Sequence, residues 1–429
     1  MMNNSKIFAL SQVCRLITDG KHGDCDDESD SGYFFISAKD VKDGKIHYED
    51  ARQITRADFE NTHRRTKLEP EDILITNSGT IGRLAIVPDT EITRRTTFQK
   101  SVAIIKPDTA VIFPKFLYYT FQAQLQYLIE MAGGTAQKNL LLGDLRRFKC
   151  RIPSPMLQRK IAAILSAYDE LIENNKRRIA LLEKMAEEIY REWFVRLRFP
   201  GHEKVKFVKS VPQGWRIAEL KELASVNPSS MNRRDKTETI LYVDISSVST
   251  NRIDEVTTYT SAEAPGRARR RVKHGDVIWS SVRPANRAYC LIYEPPENLI
   301  VSTGFAVIRP NAVTPFTFLF FAVTSDPFVD QMTTVAKGAA YPATSFDDFE
   351  KAKLLVPSDE LLNRFHENAE PLFQQKHLLQ LQIDRLKQTR NLLLPRLVSG
   401  KLSVENLDIQ FPPGMAEELK AEPIAAAYA

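Results

Sequence analysis

Two sets of polar and cationic residues in this sequence have the chemistry to hold a polyanion and to read the edges of its bases. In the first half, Asn77, Ser78, Thr80 and Arg83 follow one short apolar run. Arg94, Arg95, Gln99 and Lys100 precede another, and Thr135, Gln137, Lys138 and Asn139 follow the pair Gly133-Gly134. In the second half, Arg267, Arg269, Arg270 and Arg271 crowd into five positions. Ser280, Ser281, Arg283, Asn286 and Arg287 follow an apolar run, and Lys337, Tyr341 and Thr344 surround Gly338. Cations and small donors grip phosphates, whereas Arg, Lys, Asn and Gln carry the donor and acceptor pairs that distinguish base edges. Four arginines so close repel one another unless a polyanion lies nearby. Arg64, Arg65 and Lys67 hold a similar place ahead of Asp72. Any one of these side chains reads equally well as a solvated loop residue, but donors clustered in several loops of each half favour contact with DNA.

Bond-making chemistry finds no such support. Asn227-Pro228-Ser229-Ser230 is not the Asn/Asp-Pro-Pro-aromatic box of an adenine methyltransferase, and no G-x-x-x-x-G-K-[ST] phosphate loop occurs. No carboxylate–lysine set of a nuclease stands out, and Asp169 and Glu170 read as ordinary surface charges on a helix. The acidic run Asp24, Asp26, Asp27, Glu28 and Asp30 lacks the glycine and terminal glutamate of a calcium loop and reads as a solvated segment. Cys14, Cys25, Cys150 and Cys290 form no C-x-x-C pair, which fits free thiols in a reducing compartment. The expectation is therefore a non-catalytic chain with no metal and no cofactor of its own. No signal peptide opens the sequence and no apolar run approaches the ~18 residues of a membrane span, so the expected localisation is cytoplasmic. The net charge of +5 is too small to decide the partner; its distribution must.

The candidate residues are positioned by elements that occur twice, offset by about 204 residues. Phe35-Ile36, Val41 and Ile46 match Tyr242-Val243, Val248 and Ile253. Asp72-Ile73-Leu74-Ile75 matches Asp276-Val277-Ile278-Trp279, and Val102 to Pro107 matches Phe305 to Pro310. Gly134 with Pro153 matches Gly338 with Pro357. A repeat this long is a duplicated domain rather than a solenoid unit. Each half opens with short strands (72–76, 83–87 and 101–106; 276–280, 288–293 and 305–309) and continues with helical stretches at 114–131 and 315–331.

Each half then closes in a long heptad pattern: Ile161, Leu165, Tyr168, Ile172, Asn175, Ile179, Leu182, Ala186, Ile189 and Trp193, and Phe365, Ala369, Leu372, Lys376, Leu379, Ile383, Leu386, Arg390, Leu393 and Leu397. Asn175 at the seam either fixes register or marks a wet point, and Pro395 is expected to end or kink the second helix before Leu397. The aromatic cluster Trp193, Phe194, Phe199 and Phe207 reads as packing near a helix end, against the second module or a partner subunit. The expected organisation is a first module at 1–153, a central helix at 154–199, a second module at 200–357, a C-terminal helix at 358–400 and a tail at 401–429. The fold class is α+β, with two modules separated by two long antiparallel coiled-coil helices and pseudo-two-fold internal symmetry. Connectivity makes the helices antiparallel, so that they act as a ruler.

The chain resembles the specificity subunits of Type I restriction–modification systems over nearly its whole length. The first module carries Ile17-Thr18-Asp19-Gly20-Lys21-His22, Phe35-Ile36-Ser37, Asp40-Val41 with Gly44, and Glu71-Asp72-Ile73-Leu74-Ile75 with Gly79 and Ile81-Gly82. Gly134-Thr135-Ala136-Gln137, Ile152-Pro153 and Gln158-Arg159-Lys160-Ile161-Ala162 follow, and Val211-Pro212-Gln213-Gly214-Trp215 opens the second module. The second module departs from the pattern, with Gly338-Ala339-Ala340-Tyr341 in its glycine loop and Leu362-Asn363-Arg364-Phe365 at its helix start. The resemblance implies two target-recognition domains that read an asymmetric bipartite site in double-stranded DNA. It also implies two methyltransferase subunits and, optionally, two restriction subunits as partners. S-adenosylmethionine, ATP and magnesium would then sit on those partners. The alternative is a coiled-coil scaffold whose two end domains bind proteins rather than DNA.

Overall fold

In the computed structural model the apolar runs become strands at the centre of each module. The structure describes residues 5–133, 138–209, 211–232, 235, 238–338, 341–412 and 415. It divides into two compact units, Met1–Asn174 with Ile383–Ala429, and Asn175–Gln382. Each unit thus holds one module together with a stretch of each long helix.

In the first unit an antiparallel sheet has the order Cys14–Asp19, Val102–Pro107, Ile73–Thr76, Leu84–Ile86. All six residues of Val102–Pro107 are buried because both faces of the sheet are covered. Side chains alternate across a strand. Ile73, Ile75, Ala103 and Ile105 therefore face helices Pro114–Ala123 and Leu125–Met131 and the long-helix residues Leu157, Ile161 and Leu165. Leu74, Val102 and Ile104 face Ile36, Val41 and Phe98 on the other side. There Phe34–Ile36 pairs parallel with Thr96–Phe98, an arrangement the repeat did not reveal.

The second unit repeats this plan. The sheet order is Ala224–Val226, Phe305–Pro310, Val277–Ser280, Tyr289–Leu291. Thr239–Val243 runs parallel to Leu299–Ser302. Val277, Trp279, Ala306 and Ile308 face an aromatic layer that includes Phe318, Phe321, Phe328 and Phe365.

The doubled motif Asp72/Asp276 has a structural cause. Asp72 is buried and accepts from Lys106 Nζ at 2.5 Å, and Asp276 is buried and takes a two-pronged contact from Arg309 at 2.8 and 2.6 Å. These carboxylates pin the central strand to its neighbour from within the fold.

The first long helix runs Pro155–Tyr190 and ends in a π-helical turn, Arg191–Val195. The second runs Asp359–Val398. Contrary to the sequence expectation, Pro395 does not end it before Leu397. The helix stops at Val398, and left-handed Gly400 (φ +74) turns the chain beyond it. The heptad positions Ile161, Leu165, Ile172, Asn175 and Ala186, and Phe365, Ala369, Leu379, Ile383 and Leu397, are buried.

In the second unit the helices pair antiparallel, with Asn175 Nδ2 donating to Gln382 Oε1 at 3.3 Å and Glu183 meeting Lys376 at 2.6 Å. In the first unit Asp169 pairs with Arg390 and accepts from the Tyr119 hydroxyl at 2.7 Å, so it is not an ordinary surface charge. The residues after the second helix fold back on the first unit. Val404 is buried, and Lys160 Nζ donates to the carbonyls of Glu405 and Leu407 at 2.7 Å each. Trp193, Phe194 and Phe199 join the core of the second unit, while Phe207 is 47% exposed and does not.

Candidate nucleic-acid interface

In each module three loops meet at one edge of the central sheet and are stitched together by backbone hydrogen bonds. In the first module, strand Ile73–Thr76 leads into the turn 77–82. Asn77 N donates to Ser101 O at 3.1 Å, which joins that turn to the loop carrying Gln99 and Lys100. Leu140 N donates to Asn77 O at 2.8 Å, and Ser78 bridges Asn139, which joins it to the glycine loop. Gly82 is required inside the turn. Its φ is +88, and a Cβ there would lie 2.9 Å from Leu125 Cδ1.

The second module makes the same junction with different residues. Ser281 N donates to Gly304 O at 3.0 Å, and Thr344 N donates to Ser281 O at 2.9 Å. Val282 bridges Ala343, and Ala343 and Lys337 exchange two backbone bonds of 2.9 Å. Thr303 N donates to Arg267 O at 2.9 Å, which brings the arginine-rich strand alongside.

The junction gathers some of the candidate side chains and not others. In the first module it presents Ser78, Thr80, Lys100, Lys138 and Asn139 together, with Gln99 half-buried beside them. Thr135 and Gln137 lie outside the described residues. Arg83 turns back and donates to Ala38 O at 3.2 Å. Arg94 and Arg95 stand at the opposite end of strand Thr96–Phe98 from Gln99, and Arg94 is tied to Asp89 and Glu91. Arg65 donates to the carbonyls of Asp19 and Gly20, and Lys67 pairs with Glu69 at 3.1 Å. Asn77 is buried, and its Oδ1 has no hydrogen-bond partner.

In the second module the junction presents Arg283, Asn286, Lys337 and Tyr341, all exposed, with Arg267 beside them. Ser280, Ser281 and Thr344 are buried. Their hydroxyls donate to the carbonyls of Val282, Gly304 and Ser281, so they hold the turn instead of facing outward. The four arginines separate as well. Arg271 pairs with Asp235 at 2.8 Å. Arg270 lies over the Phe346 ring at 5.1 Å, and burial lowers its pKa. Arg269 is half-buried, with Nε donating to Gly266 O at 3.2 Å. Arg287 pairs with Asp326 at 2.6 Å. The strand shifts register between Ala268 and Arg270, so closeness in the sequence does not show which partner each arginine takes.

Inspection of the sequence missed Lys21 as a neighbour of this edge. Its carbonyl accepts from Lys100 N at 3.0 Å, and it bridges Gln99. The available signal was Gly20, where a Cβ would lie 1.9 Å from Phe98 O. The acidic run in the loop before Tyr33 is partly tied down, with Asp24 and Asp27 each 2.7 Å from Arg52. Among the described residues no group of three His, Cys, Asp or Glu is placed to hold a metal ion, and no helix is long and apolar enough to cross a membrane.

The architecture is thus a duplicated α+β module, each copy closed by a long helix. Residues 2–184 match the Type I restriction modification DNA specificity domain. The chain is 28% identical over 354 residues to the Type I restriction enzyme MjaIX specificity subunit of Methanocaldococcus jannaschii, covering 78% of each chain. It is also 28% identical over 137 residues to the HindI specificity subunit of Haemophilus influenzae, covering 31% of this chain and 30% of that one. Its fold matches the crystal structure of the Type-I restriction-modification system S subunit from M. genitalium, with a TM-score of 0.57 at 17% identity, over 92% of this chain and 96% of that one. The chain is thus similar in sequence and in fold to specificity subunits of Type I restriction–modification systems.

Proposed function

We propose that this chain is the non-catalytic, sequence-reading subunit of a Type I restriction–modification complex, and that each module reads one half of an asymmetric bipartite site in double-stranded DNA. The observation that carries this reading is the three-loop junction, built twice on the same backbone bonds and furnished with different outward side chains. A shared frame with different donors suits two half-sites of different sequence, because base edges are distinguished by donor and acceptor pattern. Ser78, Thr80, Lys100, Lys138 and Asn139 serve one half, and Arg267, Arg283, Asn286, Lys337 and Tyr341 the other. The long helices set the gap between the half-sites and carry two methyltransferase subunits, with restriction subunits as optional further partners. S-adenosylmethionine, ATP and magnesium belong to those subunits, and the assembly works in the cytoplasm.

Methylome sequencing of cells expressing this chain with its cognate methyltransferase subunit tests the proposal. The expected result is adenine methylation at a two-part motif whose halves differ. A perfectly palindromic motif contradicts the asymmetry, and methylation without any motif contradicts the function.

A further inference from the structure

We propose that Tyr341 is a base-reading residue of the second module, and that its ring contacts the 5-methyl group of a thymine in the major groove. This assignment rests on the second module's contact with DNA proposed above. Tyr341 is 70% exposed, so its ring fills no core. It stands at the junction of loops, and the backbone there holds it in one place.

Tyr341 lies inside a closed loop. Lys337 and Ala343 exchange two backbone bonds of 2.9 Å at the base of that loop. Gly338 has φ +108, and a Cβ there would lie 3.0 Å from Tyr341 O, so glycine lets the chain pass close beneath the tyrosine. The loop is also locked to the neighbouring turn, with Arg283 N donating to Pro342 O at 2.7 Å and Val282 bridging Ala343. The Arg283 guanidinium carbon lies 4.7 Å from the centre of the Tyr341 ring, a cation–π contact that steadies the ring from one side. Arg283 (φ +50) and Arg287 (φ +53) both adopt the left-handed conformation, one at each end of the short turn Pro284–Asn286. Residues other than glycine rarely take it, and such strain persists where the surrounding structure imposes it, often at functional sites. Arg287 pairs with Asp326 at 2.6 Å and so holds the turn on which Arg283 stands.

The chemistry selects thymine. Every base shows donors or acceptors in the major groove, and thymine alone adds an apolar group there, the methyl on C5. A ring carried outward on a rigid loop can cover that methyl and take it out of water. Burying one such group favours its base by about fourfold. A freely rotating side chain would lose part of that gain on being immobilised, whereas a ring already held by its loop and by Arg283 keeps it. The first module has Gln137, which carries no ring, at the matching place in its glycine loop. The thymine contact therefore belongs to the half-site read by the second module.

The full chain is tested against a pool of duplexes with a randomised central segment, and the bound fraction is sequenced. The enriched duplex is then remade with uracil in place of each thymine in turn, which removes the methyl and nothing else. The wild type should enrich a bipartite motif containing a thymine whose replacement by uracil weakens binding by about fourfold. Tyr341→Ala should bind the thymine duplex more weakly by the same factor and should not distinguish thymine from uracil at that position. Tyr341→Phe, which keeps the ring, should behave as the wild type does. Enrichment of the other positions of the motif by Tyr341→Ala shows that the fold is intact. Two results overturn the assignment while leaving the DNA reading in place. One is that no thymine is sensitive to uracil in the wild type; the other is that every sensitivity persists in Tyr341→Ala. No enrichment by the wild type overturns the DNA reading itself, and this assignment with it.

Discussion

Replacing Lys106 with methionine should destabilise the first unit in a manner that depends on pH. The Lys106 ammonium is 8% exposed and lies 2.5 Å from Asp72, whose side chain is 3% exposed. It also lies 3.1 Å from Glu69. With the ammonium gone, Asp72 keeps its role as acceptor for Glu69 N at 2.7 Å but faces no cation. Stranding a buried charge in this way costs about 3–5 kcal/mol. Even with Lys106 present, burial pushes the Asp72 carboxyl up to about 6.

The pH window follows from that direction. A folded-state value above the ordinary one means that the folded chain holds a proton the unfolded chain releases. The resulting stability is complete below about pH 4 and is lost as pH rises through the folded value, by about 1.36 kcal/mol per unit. In the variant the folded value rises further, so its deficit against the wild type should be small at pH 5 and large at pH 7.5. Adding Asp72→Asn to Lys106→Met should recover most of the loss. Trp193, Trp215 and Trp279 all belong to the second unit, so the first must be followed by hydrogen exchange in strands Ile73–Thr76 and Val102–Pro107 during urea titration. A loss below about 1 kcal/mol, or one equal at the two pH values, would refute the role given to this pair.

Lys138→Ala should weaken binding to all duplexes and lower the salt slope by about one, read from titrations at several salt concentrations; an unchanged slope would remove it from the footprint. One heptad inserted after Leu182 and at the facing turn near Lys376 should leave a folded chain with each helix longer by about 10.5 Å. That length is about three base pairs, or roughly 100° of groove rotation, so gel shifts should show loss of the native site; undiminished specific binding would mean that the helices do not set the spacing. Ile7 of the first strand and Ser399 and Lys401 beyond the second helix line one cleft of the first unit. A circular permutant opened near Gly201, with the old termini joined by a flexible linker, should therefore fold and bind; insolubility would count against the topology.

The sequence by itself determined the duplication, the strands of both central sheets and the two heptad helices. Those features are written in local apolar periodicity and in a repeat that keeps its order. Asp72 and Asp276 were visible as matched positions, but their pairing with Lys106 and Arg309 was not, because each partner is more than thirty residues away in the chain. Gln158 shows the same limit. It was legible as part of a motif, yet only the fold reveals that it accepts from Phe113 N at 2.7 Å and donates to Pro153 O at 3.0 Å, work that buried Leu362 replaces with packing at the equivalent place. Pro395 does not end the helix because the packing of Leu394, Leu397 and Val398 carries it past the lost backbone donor and the crowding of the proline ring. Tertiary structure alone sorted the candidate contacts. Composition cannot tell Ser280, Ser281 and Thr344, whose hydroxyls close a turn, from Ser78 and Thr80 at the edge of their loop. Nor can it tell Arg271, paired with Asp235, from Arg283 over Tyr341. Which way a polar side chain faces is set by alternation along a strand and by hydrogen bonds between loops far apart in sequence, and those exist only once the chain has folded.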